Sequence, residues 1–336
     1  MTAPSVSAPR GAKPRPPQAL ERANLMVSPA IMEAARRLND QLRLPVEHHL
    51  EGGGKRVRAA LTLLSAGAAG AEESVGIVGA VAIELIHNFS LVHDDVIDRD
   101  EERRHRATVW SKFGIGPAVV AGDALALLAV QILLENPTAE RVRATALLAD
   151  STQAMIAGQS EDMAFENRSS VTVAECLAME AGKTAALLSC AASLGAVLAG
   201  APESVVVTLG DFGRHLGLAF QAVDDVLGIW GESAATGKPV GSDLLSHKKT
   251  LPIALALAHG GPIRDELVAI LDGPLSPAEV ARASAWLEEQ GARQEAMDMA
   301  AGHLDAALGA LGQVSLAPGP AAELAQIARY VVARDQ

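Results

Sequence analysis

The chain has 336 residues, 49% apolar and only 3% aromatic, and a formal net charge of -12. That balance excludes a general nucleic-acid binder, which needs a basic field, and it disfavours adsorption to anionic lipid. Any anionic ligand must therefore be met by local Lys and Arg clusters or by cations.

Residues 1–24 are rich in Pro and Ala and lack an apolar signal region, so they are expected to form a disordered tail. Residues 25–336 read as one domain. The patterning predicts helices at 29–43, 55–70, 74–98, 117–134, 139–165, 172–200, 203–231, 250–258, 263–272, 276–291, 293–312 and 319–333. Pro137, Pro202, Pro274 and Pro318 fall in the gaps, and Ser276-Pro277 reads as an N-cap and first-turn proline. Strand signals are nearly absent. The apolar runs 117–134 and 185–201 carry Asp123 in one and Ser189 and Ser193 in the other. They are expected to be core helices, with no integral membrane segment. Cys176 and Cys190 have no metal-ligand spacing and read as reduced core thiols in the cytoplasm. The fold class is all-α, a single-domain bundle of ten or more helices around a central cavity.

The chemistry sits in a few motifs, again in chain order. Gly52-Gly53-Gly54-Lys55-Arg56-Val57-Arg58 leads into a helix, where backbone N–H groups favour an anion. Lys55 and Arg58 share a face. In the helix ending at Asp98, Asp94 and Asp98 lie about 40° apart, Asp95 about 100° from Asp94, and His87 two turns down the same stripe. Carboxylates packed this way repel unless a cation sits between them, and hard oxygen ligands suit Mg²⁺. Arg103, Arg104 and Arg106 follow. Lys183 and Thr184 interrupt an otherwise apolar helix, where a lysine needs a partner. Gln221, Asp224 and Asp225 group at the end of a second apolar helix, and Lys238, Lys248 and Lys249 come after it. One acidic pair is as readily a solvated helix end. Two pairs, each ending an apolar helix and each followed by basic residues, are harder to dismiss.

GGGKRVRA at 52–59, DDVIDRDEERRHRATVW at 94–110, GKT at 182–184, FQAVDD at 220–225 and TGKPVGSDLLSHKKTLP at 236–252 together resemble the trans-isoprenyl diphosphate synthases, the polyprenyl synthetase family. The resemblance covers roughly residues 25–335 and looks most like bacterial, especially actinobacterial, members. It implies the isoprenoid synthase fold, a homodimer and up to three Mg²⁺ ions. The substrates it implies are isopentenyl diphosphate and an allylic prenyl diphosphate. Asp94, Asp95 and Asp98, with Asp224 and Asp225 opposite, are then the expected metal ligands. Lys55, Arg58, His87 and Arg104 match the isopentenyl diphosphate pocket. Arg103, Lys183, Thr184, Gln221, Lys238 and Lys248 match the allylic diphosphate site. Loss of the diphosphate, attack by the isopentenyl double bond and loss of a proton is the implied reaction.

This sequence departs from the family pattern at Gly228, where a third aspartate is common, and at His105 and Ala107, where Gly and Pro are usual. Phe89 and Ser90, in the stripe below Asp94, match the short-chain pattern and suggest a C20 product, with C15 the alternative. A class I terpene cyclase and a non-catalytic partner subunit are rival readings. The four residues of the isopentenyl diphosphate pocket weigh against the first, and the intact first aspartate motif against the second.

Overall fold

The computed structural model describes residues 15–231, 240–260, 267–270, 273 and 275–333. Among these are fifteen α-helices and one short hairpin. The helices are α1 (Gln18–Ala35), α2 (Asp40–Leu50), α3 (Val57–Ala68), α4 (Ile77–Ile97), α5 (Val109–Phe113), α6 (Ile115–Leu134), α7 (Ala139–Phe165), α8 (Val173–Glu180), α9 (Ala186–Leu198) and α10 (Glu203–Trp230). A four-residue turn, α11 (Ser242–Leu245), precedes α12 (Leu251–His259), α13 (Pro277–Glu289), α14 (Ala292–Ala310) and α15 (Pro318–Ala333). Strands β1 (Glu102–Arg103) and β2 (Arg106–Ala107) pair antiparallel between α4 and α5.

Local chemistry sets most of the boundaries. Thr138 caps α7, and Thr172 and Ser276 close capping boxes with Glu175 and Glu279. Pro277 starts α13 as expected. Three expectations need correction. The predicted helix 29–43 is two helices, because Asn39 accepts from Leu42 N–H at 3.1 Å and starts α2 afresh. Helix α1 begins at Gln18, not after residue 24, and buries Ala19, Leu20 and Ala23 in the core. Residues 18–24 are thus part of the folded body, while 1–14 lie outside the described residues. The hairpin and α5 were not anticipated. Of the predicted helix 263–272, only 267–270 are described, and they are helical.

The interior is made by α3, α4, α9 and α10. Every residue from Ala59 to Ala68 is buried. Backbones approach closely where side chains are small. A Cβ on Gly195 of α9 would stand 1.9 Å from Thr62 O of α3, so only glycine permits this crossing. Such contacts explain how a chain with few aromatics fills its core. Both cysteines are free and buried, as expected. Three helical spans are apolar and long enough to cross a membrane by length and composition. The fold covers 67% of the apolar window in Glu73–Ile97 and in Val173–Leu198 but only 44% in Ile115–Leu134, so of these three spans α6 is the least covered.

Candidate active site

A cavity of about 850 Å³ opens at the C-terminal ends of α4 and α10. Its wall includes Lys55, Arg58, His87, Arg103, Arg104, Lys183, Thr184, Gln221, Asp224, Asp225 and Lys248, which the sequence singled out from six separate segments. Asp94 is held among three cations of that wall, Lys183, Arg103 and Lys248, with Asp98 beside it. Lys248 reaches Asp98 Oδ2 at 3.8 Å, so the segment after α11 meets the end of α4 across the cleft. Asp224 and Asp225 line the cavity, whereas Asp94, Asp95 and Asp98 are not among its lining residues and adjoin it through the wall cations Lys183, Arg103 and Lys248.

In each pair the second aspartate is buried, Asp95 to 1% and Asp225 to 4% exposure. Asp95 is 1% exposed, accepts from Arg103 Nε at 2.7 Å through Oδ1, and leaves Oδ2 buried without a partner. Burial pushes its pKa up to about 6, Arg103 opposing. Burial also raises that of Asp94 above the usual carboxylate range, against the pull of Lys183. Asp225 touches the cavity, yet Oδ1 accepts from Gln221 Nε2 at 2.7 Å and Oδ2 from Leu251 N–H at 2.8 Å. Asp95 and Asp225, both expected among the metal ligands, are thus already engaged by protein donors.

Lys183 and Thr184 lie in a π turn, residues Ala181–Ala185, between α8 and α9. A π turn re-aims side chains relative to an unbroken helix and often marks a functional site. It packs on Gly158 of α7, where a Cβ would meet Lys183 N at 2.3 Å. Lys183 pairs with Asp162 of α7. Thr184 Oγ1 donates to Gln221 Oε1 at 2.7 Å, which fixes the Gln221 amide so that its nitrogen faces Asp225.

The glycine-run wall is cationic. Arg56 turns away from the cavity centre into a buried ion pair, its Nη1 2.9 Å from Glu84 Oε2, and Glu84 Oε1 accepts Ala59 N–H at 3.1 Å. That anchor leaves Lys55 and Arg58 to the cavity. Arg58 Nε is buried without a partner, and burial lowers its pKa. Arg104 donates to Gly53 O, which ties the hairpin to the glycine run. Burial, then Arg58 and Arg104, hold His87 well below its ordinary pKa, and burial with Arg103 and Arg104 pushes His49 down to about 3. Both imidazoles are neutral, so the positive charge here belongs to Lys and Arg.

Phe89 is 9% exposed and meets His93 edge-on, ring centroids 4.8 Å apart. Ser90 Oγ donates to His87 O at 2.9 Å. Lys238 lies outside the described residues. The sequence reading missed Asp162, Glu180 and Asp243, all on the cavity wall. Asp162 could have been found as the acid ending the long helix α7. Glu180 had no signal beyond being a glutamate in an apolar segment.

Carboxylate oxygens suit a hard cation. Asp94, Asp98 and Asp224 offer carboxylate oxygens, and the orphaned Asp95 Oδ2 is compensated by positive charge nearby. A different group lies deeper, where Cys176, Glu180 and Asp225 bring ligand-capable atoms within 4.8 Å of one another. Burial raises the Cys176 thiol far above its usual range, and its Sγ donates to Glu180 Oε1 at 3.3 Å. Burial pushes Glu180 up to about 7 and holds Asp225 well above the carboxylate range, Glu180 adding to the latter. This trio retains protons, which sets it apart from a Mg²⁺ site.

An all-helical bundle thus places a cationic cavity wall and Asp224 and Asp225 close to the acidic end of α4. Residues 39–287 match the family model described as polyprenyl synthetase. The chain is 44% identical over 328 residues to a (2E,6E)-farnesyl diphosphate synthase of Mycobacterium tuberculosis, covering 93% of this chain and 91% of that one. It is 39% identical over 313 residues to a geranylgeranyl diphosphate synthase of the same organism, covering 89% of each. A polyprenyl synthetase crystal structure from Streptomyces coelicolor A3(2) superposes with a TM-score of 0.90 at 44% identity, covering 94% of this chain and 99% of that chain. The chain belongs to the polyprenyl synthetase family and is a trans-prenyl diphosphate synthase.

Proposed function

We propose that the protein condenses isopentenyl diphosphate with an allylic diphosphate of C5–C15 and releases geranylgeranyl diphosphate. The observation that carries this reading is the cavity wall: cations from four segments gather around Asp224 and Asp225, and three of them, Lys183, Arg103 and Lys248, also surround Asp94. Asp94, Asp98 and Asp224 would hold Mg²⁺, with Asp95 and Asp225 acting through Arg103 and Gln221. When bound, Mg²⁺ neutralises charge on the diphosphate and so favours its departure. Lys183, Thr184, Gln221, Arg103 and Lys248 orient the allylic diphosphate. Asp162 fixes the Lys183 ammonium at the point where charge develops. Lys55, Arg58 and Arg104 hold the second diphosphate, and neutral His87 offers it a hydrogen bond without a titrating charge. Leu188, Phe220 and Leu227 on the wall keep water from the allylic cation.

Phe89 and Ser90 below Asp94 support the C20 reading. Phe89→Ala should lengthen the product, and an unaltered distribution would reassign the floor of the chamber. Outward faces support a homodimer. Val120, Leu127 and Leu134 on α6 recur every seven residues and are exposed, as are Val142, Ile156 and Met163 on α7 in the same register. Nothing in this reading needs a membrane, and it places the enzyme in the cytoplasm.

The test is incubation of purified protein with Mg²⁺, isopentenyl diphosphate and each allylic diphosphate, followed by product analysis. Elongated diphosphates ending at C20 are expected. A C15 endpoint would change the product, cyclic hydrocarbons would point to a cyclase, and no turnover would point to a partner subunit.

A further inference from the structure

The segment that ends α2 and opens the glycine run lies alongside the hairpin in antiparallel order. His48 Nε2 is 2.8 Å from Ala107 O, Glu51 Oε2 accepts from Arg106 Nη2 at 3.0 Å, and Gly53 O accepts from Arg104. As the first segment rises from 48 to 53, its partners descend from 107 to 104. Gly54 and Lys55 carry the segment on into the cavity wall, and Arg103 and Arg104 of the hairpin belong to the same wall.

The two hairpin cations are not held alike. Arg103 has its own anchor, the buried Asp95, at 2.7 Å. Among the described residues, the one side-chain hydrogen bond of Arg104 goes to Gly53 O. Its place therefore depends on how the hairpin seats against residues 48–53. That seat is most closely defined at His48. Lys112 Nζ of α5 lies 3.2 Å from His48 Nδ1, and Phe113 meets the ring edge-on, centroids 5.5 Å apart. An ammonium only donates, so Nδ1 accepts, and Nε2 carries the proton that goes to Ala107 O. The imidazole is thus set in tautomer and in orientation, with the carbonyl that closes β2 as its acceptor. The Glu51–Arg106 pair is half exposed and adds little by itself.

We propose that His48 is a positioning residue for the second diphosphate: it latches the hairpin to the glycine run and so holds Arg104 beside Lys55. His48 does not line the cavity and needs no contact with substrate. The inference rests on the reading of the cavity as a site for two diphosphates. Its consequence is selective, because Arg103 keeps Asp95 whether or not the latch is made.

The experiment measures initial rates of the full-length protein with Mg²⁺, isopentenyl diphosphate and an allylic diphosphate, for the parent, His48→Phe and His48→Gln. Phe keeps a ring against Phe113 and loses the N–H; Gln keeps an N–H near the place of Nε2. In His48→Phe, KM for isopentenyl diphosphate should rise about fivefold, as for the loss of one hydrogen bond. KM for the allylic diphosphate and kcat should move much less. His48→Gln should recover most of the loss. An unchanged KM for isopentenyl diphosphate, a rise confined to the allylic diphosphate, or a Gln variant no better than the Phe one overturns the proposal. A lowered kcat at the parent KM also overturns it, since that is what loss of folded protein alone would give. If His48→Phe folds poorly by circular dichroism, His48→Ala replaces it in the comparison with His48→Gln. A parent with no turnover dependent on isopentenyl diphosphate would remove the reading of the cavity and the latch with it. An active parent whose KM the His48 variants share would remove the latch alone.

Discussion

The ends of α4 and α10 carry the same pair of aspartates but solve the burial of the second one in opposite ways. Asp95 is answered by a cation, Arg103, delivered by the hairpin that follows. Asp225 is answered by neutral donors, the Gln221 amide and Leu251 N–H, and by a second carboxyl group, Glu180. At the α4 end the buried aspartate is paired by a charge from the segment that follows it in the chain. The α10 end is organised by hydrogen bonds from α8, the π turn and α12. Repetition of a motif thus does not fix the environment of its residues; what packs behind it does.

The largest effect separates the first aspartate of each pair from the buried second one. Asp94→Ala and Asp224→Ala should each lower kcat by about 10³-fold or more, since each removes charge that stabilises the departing diphosphate. Their Tm values should stay near that of the parent, because neither carboxylate holds the core. Initial rates under saturating substrates and thermal unfolding check this. A loss confined to one of the two would show that the ends do not act as a pair.

The next effect tests the acid–acid contact that α4 lacks. Glu180 is 2% exposed, and its Oε2 has no partner unless it shares a proton with Asp225. Its pKa rises from 4.5 to about 7 on folding. The folded protein then holds a proton that the unfolded chain releases. The stability from this group is complete below about pH 4.5 and declines as pH rises through 7. Glu180→Gln should remove that decline and stabilise the metal-free protein by on the order of 2–3 kcal/mol at pH 8, with little change at pH 4.5. Denaturant unfolding at the two pH values would show it. Equal changes at both would mean that the pair does not share a proton.

How much of this was legible follows the same division. Helix α7 was read with the observed bounds because Pro137 and Thr138 mark its start and a continuous pattern follows. The cavity-lining residues Lys55, Arg58, His87 and Asp224 were legible because each is chemically out of place in an apolar or glycine-rich segment, and Lys248 through the resemblance of the motif at 236–252. The start of α1 was obscured by Pro14, Pro16 and Pro17, although Leu20, Val27 and Ile31 already form a helical stripe. The inward turn of Asp225 could not be read at all. Helical periodicity puts Asp224 and Asp225 about 100° apart, but which one is buried depends on Leu251, brought in by α12. The seating of His48 against Ala107 O is of the same kind, a contact between segments that no local pattern encodes.

The smallest effect concerns the hairpin that gives the α4 end its cation. Arg104 and His105 occupy its turn with φ of 54° and 60°, as hairpin turns with a primed twist require. Neither is glycine, so the left-handed backbone is strained at both. Arg104 must keep its side chain because it reaches Gly53 and the cavity, whereas His105 is exposed and holds no such contact among the described residues. His105→Gly should relieve the strain and stabilise the protein by about 1 kcal/mol, less the entropy glycine gains in the unfolded chain. The Arg103–Asp95 bond should survive, and KM for the allylic diphosphate with it. A raised Tm with unchanged KM would show that the cation is placed by the pairing of β1 with β2. A raised KM would instead show that the strained turn itself aims Arg103 and Arg104, making the α4 end as dependent on distant geometry as the α10 end.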